Sequence, residues 1–74
     1  MNAAKRKKIK DVAIIIQKAG TDLSKVLEEE EGVYDNVPDS LKETKIPEKM
    51  RESIQILEEV IDCLNDSVDA LNDI

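Results

Sequence analysis

The sequence predicts an all-α fold in which two long helices form an antiparallel hairpin that self-associates into a four-helix or larger bundle. Three observations favour this fold. Apolar residues recur at alternating spacings of three and four in both halves of the chain. Tyr34 is the only aromatic residue, so the core must consist of aliphatic side chains, which suits helices packed lengthwise. The two ends of the chain carry opposite charge.

The first helix is predicted over about residues 3–31. Its apolar residues step by three and four: Ile9, Val12, Ile16, Ala19, Leu23 and Val26. Gly20 falls inside this run and costs roughly 1 kcal/mol relative to alanine. The spacing keeps its phase across Gly20, which favours one helix over the alternative of two shorter helices with Thr21 or Asp22 capping the second. Gly32 is expected to end the helix.

The connection is predicted over residues 32–46, longer than the roughly 2–8 residues usual between bundle helices. Ser40 and Glu43 have the spacing of a capping box, so a short helical turn can start at Ser40. The second helix is predicted over about 47–73, with Pro47 as its first residue. It carries a strict heptad stripe, which comprises Met50, Ile54, Leu57, Ile61, Leu64, Val68 and Leu71.

Charge is segregated along the chain and indicates how the helices pair. Residues 1–27 carry a net charge of +5 and residues 28–74 a net charge of −11, within a total of −6. Antiparallel pairing places the basic start of the first helix beside the acidic end of the second. Individual exposed ion pairs contribute only about 0.2–1 kcal/mol, so their expected role is mainly to orient the helices.

Both helices carry more apolar surface than a two-helix hairpin covers. On the second helix the apolar sector spans about 160° of the helical wheel, wider than a two-helix stripe. On the first helix, three successive isoleucines at 14–16 cannot all face one partner. An exposed patch of this kind normally marks an interface. The predicted oligomer interface comprises Ile14, Ile15, Ile56, Val60, Cys63 and Ala70. A dimer is the economical assembly, and higher assemblies remain open.

Several function classes find no support in the sequence. Histidine is absent and Cys63 is the only cysteine, so neither a disulfide nor a structural zinc site is expected. No phosphate-binding glycine loop, calcium loop or nucleophile–base pair is found. We therefore expect a protein that is not an enzyme and has no cofactor or metal. The longest apolar run, 12–16, is too short for a membrane helix, and a cytoplasmic location is expected.

The connection and the residues just after it carry a second candidate site. One ring, two neutral polar groups and four cations occur close together, namely Tyr34, Asn36, Ser40, Lys42, Lys45, Lys49 and Arg51. Cations beside a stacking ring suit a phosphate-bearing or nucleobase ligand. The alternative is that Tyr34 closes the end of the hairpin while Asn36 and Ser40 satisfy turn backbone. Direct nucleic-acid binding by the basic N-terminus is not expected, because no aromatic residues accompany it.

The connection contains Tyr34-Asp35-Asn36-Val37-Pro38 within residues 31–42, and it is followed by Glu48-Lys49-Met50 and by Leu-Glu-Glu-x-Ile-Asp heptads. In these motifs the chain resembles a family of short acidic helical proteins of unknown function encoded in Firmicutes phages and prophages. Lys45-Ile46-Pro47 departs from the family pattern. The resemblance implies a phage context and no particular chemistry.

The function expected on this basis is stoichiometric binding by a phage accessory protein. The leading hypothesis is a counter-defence inhibitor of a host protein, acting as a homo-oligomer. The first alternative is an oligomeric sponge that sequesters a nucleotide signal through the connection. Further alternatives are a structural or assembly factor and a protein whose acidic surface mimics DNA.

Overall fold

A computed structural model describes residues 1–74 and confirms the all-α helical hairpin. Helix α1 spans Ala3–Asp35 and helix α2 spans Ile46–Asn72, with a short 3₁₀ helix over Asp39–Leu41 between them. The molecule is a thin rod that measures 60 × 14 × 12 Å between Cα atoms.

Helix α1 starts with a side-chain cap. The Asn2 Oδ1 atom accepts a hydrogen bond from the backbone N–H of Lys5 at 2.9 Å, which satisfies one of the free amides of the first turn. The helix then continues through Gly20 without a break. The alternative of two shorter helices is therefore wrong.

Helix α1 ends at Asp35, four residues beyond the predicted end, so the expectation that Gly32 stops it is wrong. Gly32 has helical geometry, and no residue in the chain has a positive φ. The stop comes instead from Pro38, because the residue before a proline is driven out of the helical region. The Asn36 Nδ2 group donates to the carbonyl of Gly32 at 2.7 Å and satisfies one carbonyl of the last turn.

The connection is correspondingly shorter, from residue 36 to residue 45. Its 3₁₀ helix begins at Asp39 rather than at Ser40 and is capped by Pro38 without a side-chain hydrogen bond. The capping box of Ser40 and Glu43 is therefore wrong, since Ser40 lies inside the turn. The Thr44 hydroxyl donates to the carbonyl of Leu41 at 2.6 Å and accepts from the N–H of Ile46 at 3.3 Å, linking the turn to the start of α2.

Helix α2 runs over Ile46–Asn72, one residue earlier at each end than expected, with Pro47 in its first turn. Its half-buried and buried side chains follow the predicted heptad stripe, at Met50, Ile54, Leu57, Ile61, Leu64, Val68 and Leu71. These side chains face α1 along the full length of the rod. We call these residues, together with their counterparts on α1, the inner stripe.

The two helices run antiparallel. Gly20 in α1 lies against Leu64 in α2, and a groove near the chain ends is lined by Ile9 and Val12 of α1 together with Leu71 of α2. No ion pair joins the helices: all three in the structure lie within a helix or a turn, and the expected cross-helix pairs are absent. The acidic and basic ends therefore attract each other only by long-range electrostatics, without a direct ion pair.

The inner stripe of α1 differs from the one that the spacing suggested. Its most enclosed residues are Ile9, Ala13, Ile16, Gly20, Leu23, Leu27, Glu30 and Tyr34, with the half-buried Ser24 beside them. Val12, Ala19 and Val26, which we expected in the stripe, are exposed. The expected and the observed inner stripes share Ile9, Ile16 and Leu23. They differ in the residues between these positions, where the small Ala13 and Gly20 face α2 because they let the helix backbones approach closely.

Very little of the molecule is enclosed. Only Ala13, Gly20 and Val68 are buried, and no side chain is completely removed from solvent. A chain of this length normally buries about 60% of the surface it exposes when unfolded, and it needs that burial for stability. The isolated hairpin therefore has a contact line between two helices in place of a core.

Candidate interaction faces

A second apolar stripe runs along α1 beside the inner stripe. Its residues follow one another every seven positions, and it comprises Val12, Ala19, Val26 and Val33. Val12, Val26 and Val33 are each about half exposed, at 49%, 47% and 52%. A seven-residue repeat keeps these side chains in line along the helix. Sequence reasoning missed this stripe because it assigned Val12, Ala19 and Val26 to the contact with α2.

The equivalent stripe of α2 alternates serine with aliphatic residues. It comprises Ser53, Val60 and Ser67, followed by Ile74 just beyond the helix. Val60 and Ile74 are 40% and 48% exposed. Beyond this stripe lie the exposed Ile56, Cys63 and Ala70, and beyond the α1 stripe lies the exposed Ile15.

The two stripes lie on the same side of the hairpin. Within the helices, each residue of the two stripes immediately precedes an inner-stripe residue of its own helix. Because both helices are right-handed and run antiparallel, residues at this position lie on the same side of the pair. The groove lined by Ile9, Val12 and Leu71 lies on this side; its volume is about 190 Å³, and the aliphatic stem of Lys8 forms one edge. We call this side the apolar face.

The opposite side of the hairpin is hydrophilic. Its flanking residues are Lys10, Gln17, Ser24 and Glu31 on α1 and Arg51, Glu58, Asn65 and Asn72 on α2. The Oδ1 atom of Asn65 would lie 3.8 Å from a Cβ added at Gly20, which places Asn65 beside the inner stripe on this side. We call it the polar face. The hairpin is therefore two-sided.

The residues predicted for the oligomer interface divide between the two sides. Val60 lies on the apolar face, and Ile15, Ile56, Cys63 and Ala70 form its edges. Ile14 follows the buried Ala13 by one residue, about 100° further around the helix and away from the apolar face. Ile14 is 63% exposed and lies on a different side of α1 from the other five predicted interface residues.

The predicted ligand site at the connection is only partly assembled. Tyr34 and Lys42, together with Asp35, Val37 and Pro47, line an open depression of about 380 Å³. The Lys42 ammonium is already paired with Asp39 at 2.9 Å. Tyr34 is half-buried, as expected of a residue that closes the end of the hairpin.

The other five residues predicted for that site lie outside the depression. The Asn36 side chain is held by the carbonyl of Gly32. Ser40, Lys45, Lys49 and Arg51 are exposed and do not line it. The residues were close in sequence, but the helical geometry of α2 turns Lys49 and Arg51 to different sides of the rod.

The remaining side-chain chemistry is sparse. No group of three or more His, Cys, Asp or Glu side chains lies close enough to share a metal ion. Neither helix contains a stretch sufficiently long and apolar to cross a membrane. No family model matches the chain, and no curated protein or solved structure shows significant similarity to it.

Proposed function

We propose that this chain is a non-enzymatic binding protein that acts by stoichiometric association, building a helical bundle with helices that dock on its apolar face. In the phage context that the resemblance implied, such a protein is an accessory factor. Inhibition of a host defence protein by the resulting assembly is the specific form of this activity that we propose.

The observation that supports the proposal is the difference between the two sides of the hairpin. The apolar face exposes Val12, Val26, Val33 and Val60 in lines that run along the rod, whereas the polar face presents amides, hydroxyls and charges. Scattered exposed apolar residues are ordinary on any protein surface, but a contiguous patch of them marks an interaction site. Lines with a seven-residue repeat favour another helix as the partner.

The shortage of burial supports the same proposal. Docking a helix or helix pair on the apolar face would remove the second apolar stripes from water and turn the contact line between α1 and α2 into a bundle core. Burying apolar surface contributes about 25 cal/mol for each Å². The exposed apolar face is therefore the main source of additional stability open to this chain. Binding and folding are then driven by the same surface.

The test compares one substitution on each side of the hairpin. Val60→Asp places a charge on the apolar face, and Asn65→Asp places the same charge on the polar face. We expect Val60→Asp to abolish association, with itself or with a co-expressed host protein, as measured by light scattering of the purified material. Asn65→Asp should leave association intact. Equal behaviour of the two variants would contradict the proposal.

A second candidate function rests on the depression at the connection. Tyr34 supplies a ring and Lys42 a cation at its wall, a combination that suits a nucleotide-type signal. Its test is a thermal-shift measurement with cyclic dinucleotides and trinucleotides, since a ligand that binds the folded state raises Tm. A shift that Tyr34→Ala removes would favour this function, and no shift with any nucleotide would exclude it for these ligands.

A further inference from the structure

We infer that the apolar face is occupied by a second copy of this chain, in a two-fold dimer whose connecting segments lie at opposite ends of a four-helix bundle. In this arrangement α1 lies over the α1 of the partner and α2 over its α2, each pair antiparallel. The inference rests on the proposed function, because it names the partner that the apolar face takes up.

The size of the face fits a stable dimer. The hairpin measures 60 Å by 14 Å between Cα atoms along its two longer dimensions. A face of these dimensions has a footprint of roughly 800 Å², which is the area each partner contributes to an interface of standard size. A single short helix would cover only part of this length and only one of the two stripes.

The charge pattern of α1 favours an antiparallel copy of itself. In α1 the cations Lys5, Arg6, Lys7, Lys8 and Lys10 come first and the glutamates 28–31 come last. An antiparallel α1 pair therefore places the basic first half of one helix over the acidic second half of its partner, which favours this orientation over a parallel α1 pair.

The sizes of the side chains along the face place the two-fold axis. Ala19 and Ser67 form a row of small side chains at about mid-length, and Val26 and Val60 form the next row towards the connection. An axis across the face between these rows sets the small row of one copy against the valines of the other. Large side chains facing small ones give interdigitated packing, whereas a parallel dimer would set small against small.

This axis brings the two Cys63 residues together. Cys63 lies about halfway between Val60 and Ser67 along α2. It is exposed at the edge of the apolar face, where α2 meets the α2 of the partner. In a dimer with both connections at one end, α2 would instead lie over α1 of the partner, with the two cysteines on separate helix pairs. The position of the thiol therefore reports the arrangement.

The equivalent edge of α1 carries Asp22, which also lies near the axis. Each Asp22 carboxylate is paired with the Lys18 ammonium of its own helix at 3.3 Å. Two copies therefore bring together two ion pairs rather than two bare anions near the axis.

The first part of the test is the mass of the full chain in solution. Sedimentation equilibrium at micromolar concentrations should give a dimer for the unmodified chain and for Asn65→Asp. Val60→Asp and, independently, Val26→Lys should raise the dissociation constant at least a hundredfold. Circular dichroism at high concentration checks that the variants still form helix. A monomer for the unmodified chain would overturn the inference, as would a trimer or a larger assembly.

The second part uses Cys63 as a probe with a short bismaleimide, in which each thiol adds across one maleimide double bond. We expect rapid formation of a covalent dimer at concentrations where the chain is dimeric. Cys63→Ser combined with Asp66→Cys, which moves the thiol outside the apolar face, should not cross-link. A dimer that fails to cross-link through Cys63 would overturn the arrangement.

The outcomes also separate this inference from the proposed function. A monomeric chain that binds a host protein, and loses that binding on Val60→Asp, overturns the second copy as partner and leaves the function in place. A monomeric chain in which Val60→Asp and Asn65→Asp alter no association overturns both.

Discussion

Gly20 of α1 lies directly against Leu64 of α2. A Cβ built on Gly20 would lie 3.8 Å from the Cβ of Leu64 and 4.0 Å from its Cδ1, which is ordinary van der Waals contact. The site therefore has room for a methyl group, although Gly20 is buried. Close approach here follows from the small residues Ala13 and Gly20, and one of them is smaller than the packing requires.

Gly20→Ala should stabilise the hairpin. Alanine is favoured over glycine within a helix by about 1 kcal/mol, and the added methyl fills contact space beside Leu64. A gain of about 1 kcal/mol corresponds to a rise in Tm of roughly 4–8 °C for a chain of this size. The measurement is thermal and urea unfolding followed by circular dichroism.

Gly32→Ala is the matched control for this substitution. Gly32 also lies within α1, but an added Cβ meets nothing within 4 Å. It should therefore show the gain in helix propensity alone, and any excess at Gly20 measures the packing of the new methyl group. A loss of stability at Gly20 with a gain at Gly32 would show that the helices lie closer than the structure places them.

Asn2→Ala should weaken the start of α1. The substitution removes the acceptor for the Lys5 N–H, now bonded at 2.9 Å, and the loss of such a cap costs about 1 kcal/mol. Asn2→Asp keeps the acceptor and should retain the stability of the parent. Hydrogen exchange of the first-turn amides locates the effect, and unchanged exchange in Asn2→Ala would contradict the cap.

Glu30→Leu should stabilise the contact between the helices. Glu30 occupies an inner-stripe position, is half-buried, and forms no ion pair, because the three pairs in the structure involve other residues. Leucine at this position would add apolar burial, with an expected gain on the order of 1 kcal/mol. Glu28→Leu, on an exposed position of the same helix, should change the free energy of unfolding by less than about half as much.

Val68→Ala should be the most damaging of these substitutions. Val68 is the most enclosed apolar side chain of α2, with 8% exposure. Losing two methyl groups from this position should cost about 2 kcal/mol. Ile14→Ala is the control, because Ile14 is 63% exposed and lies away from the apolar face. A similar loss in both variants would mean that Val68 is not part of the contact.

The fold followed from the sequence because its main signal is periodic. The heptad stripe of α2 names its own inward residues, and every one of them is half-buried or buried. In α1 the spacing of apolar residues alone does not determine which side chains face α2. Two possible stripes share Ile9, Ile16 and Leu23, and the packing of the small residues Ala13 and Gly20 against α2 determines which of them faces inward.

The sequence predicted the candidate sites less accurately than it predicted the fold. Exposed apolar edge residues such as Val60 and Cys63 could be identified from the width of the apolar sector. Lys49 and Arg51 could not be placed relative to Tyr34, because closeness in sequence along a helix does not fix the side on which a residue lies. The predicted end of α1 at residue 31 is wrong because Gly32 tolerates helical geometry, whereas Pro38 disfavours helix at the residue before it.

The distribution of the buried residues has one more consequence. Ala13 and Val68 lie in the half of the rod that contains the chain ends, Gly20 lies at about mid-length, and no residue nearer the connection is buried. The two helices therefore pack most closely in the part of the rod away from the connection. Near the connection their packing is looser, and the chain itself joins them covalently. A protease that cuts between Asp39 and Lys45 should leave a nicked molecule whose two fragments stay paired, and separately made helices should recombine into the same rod.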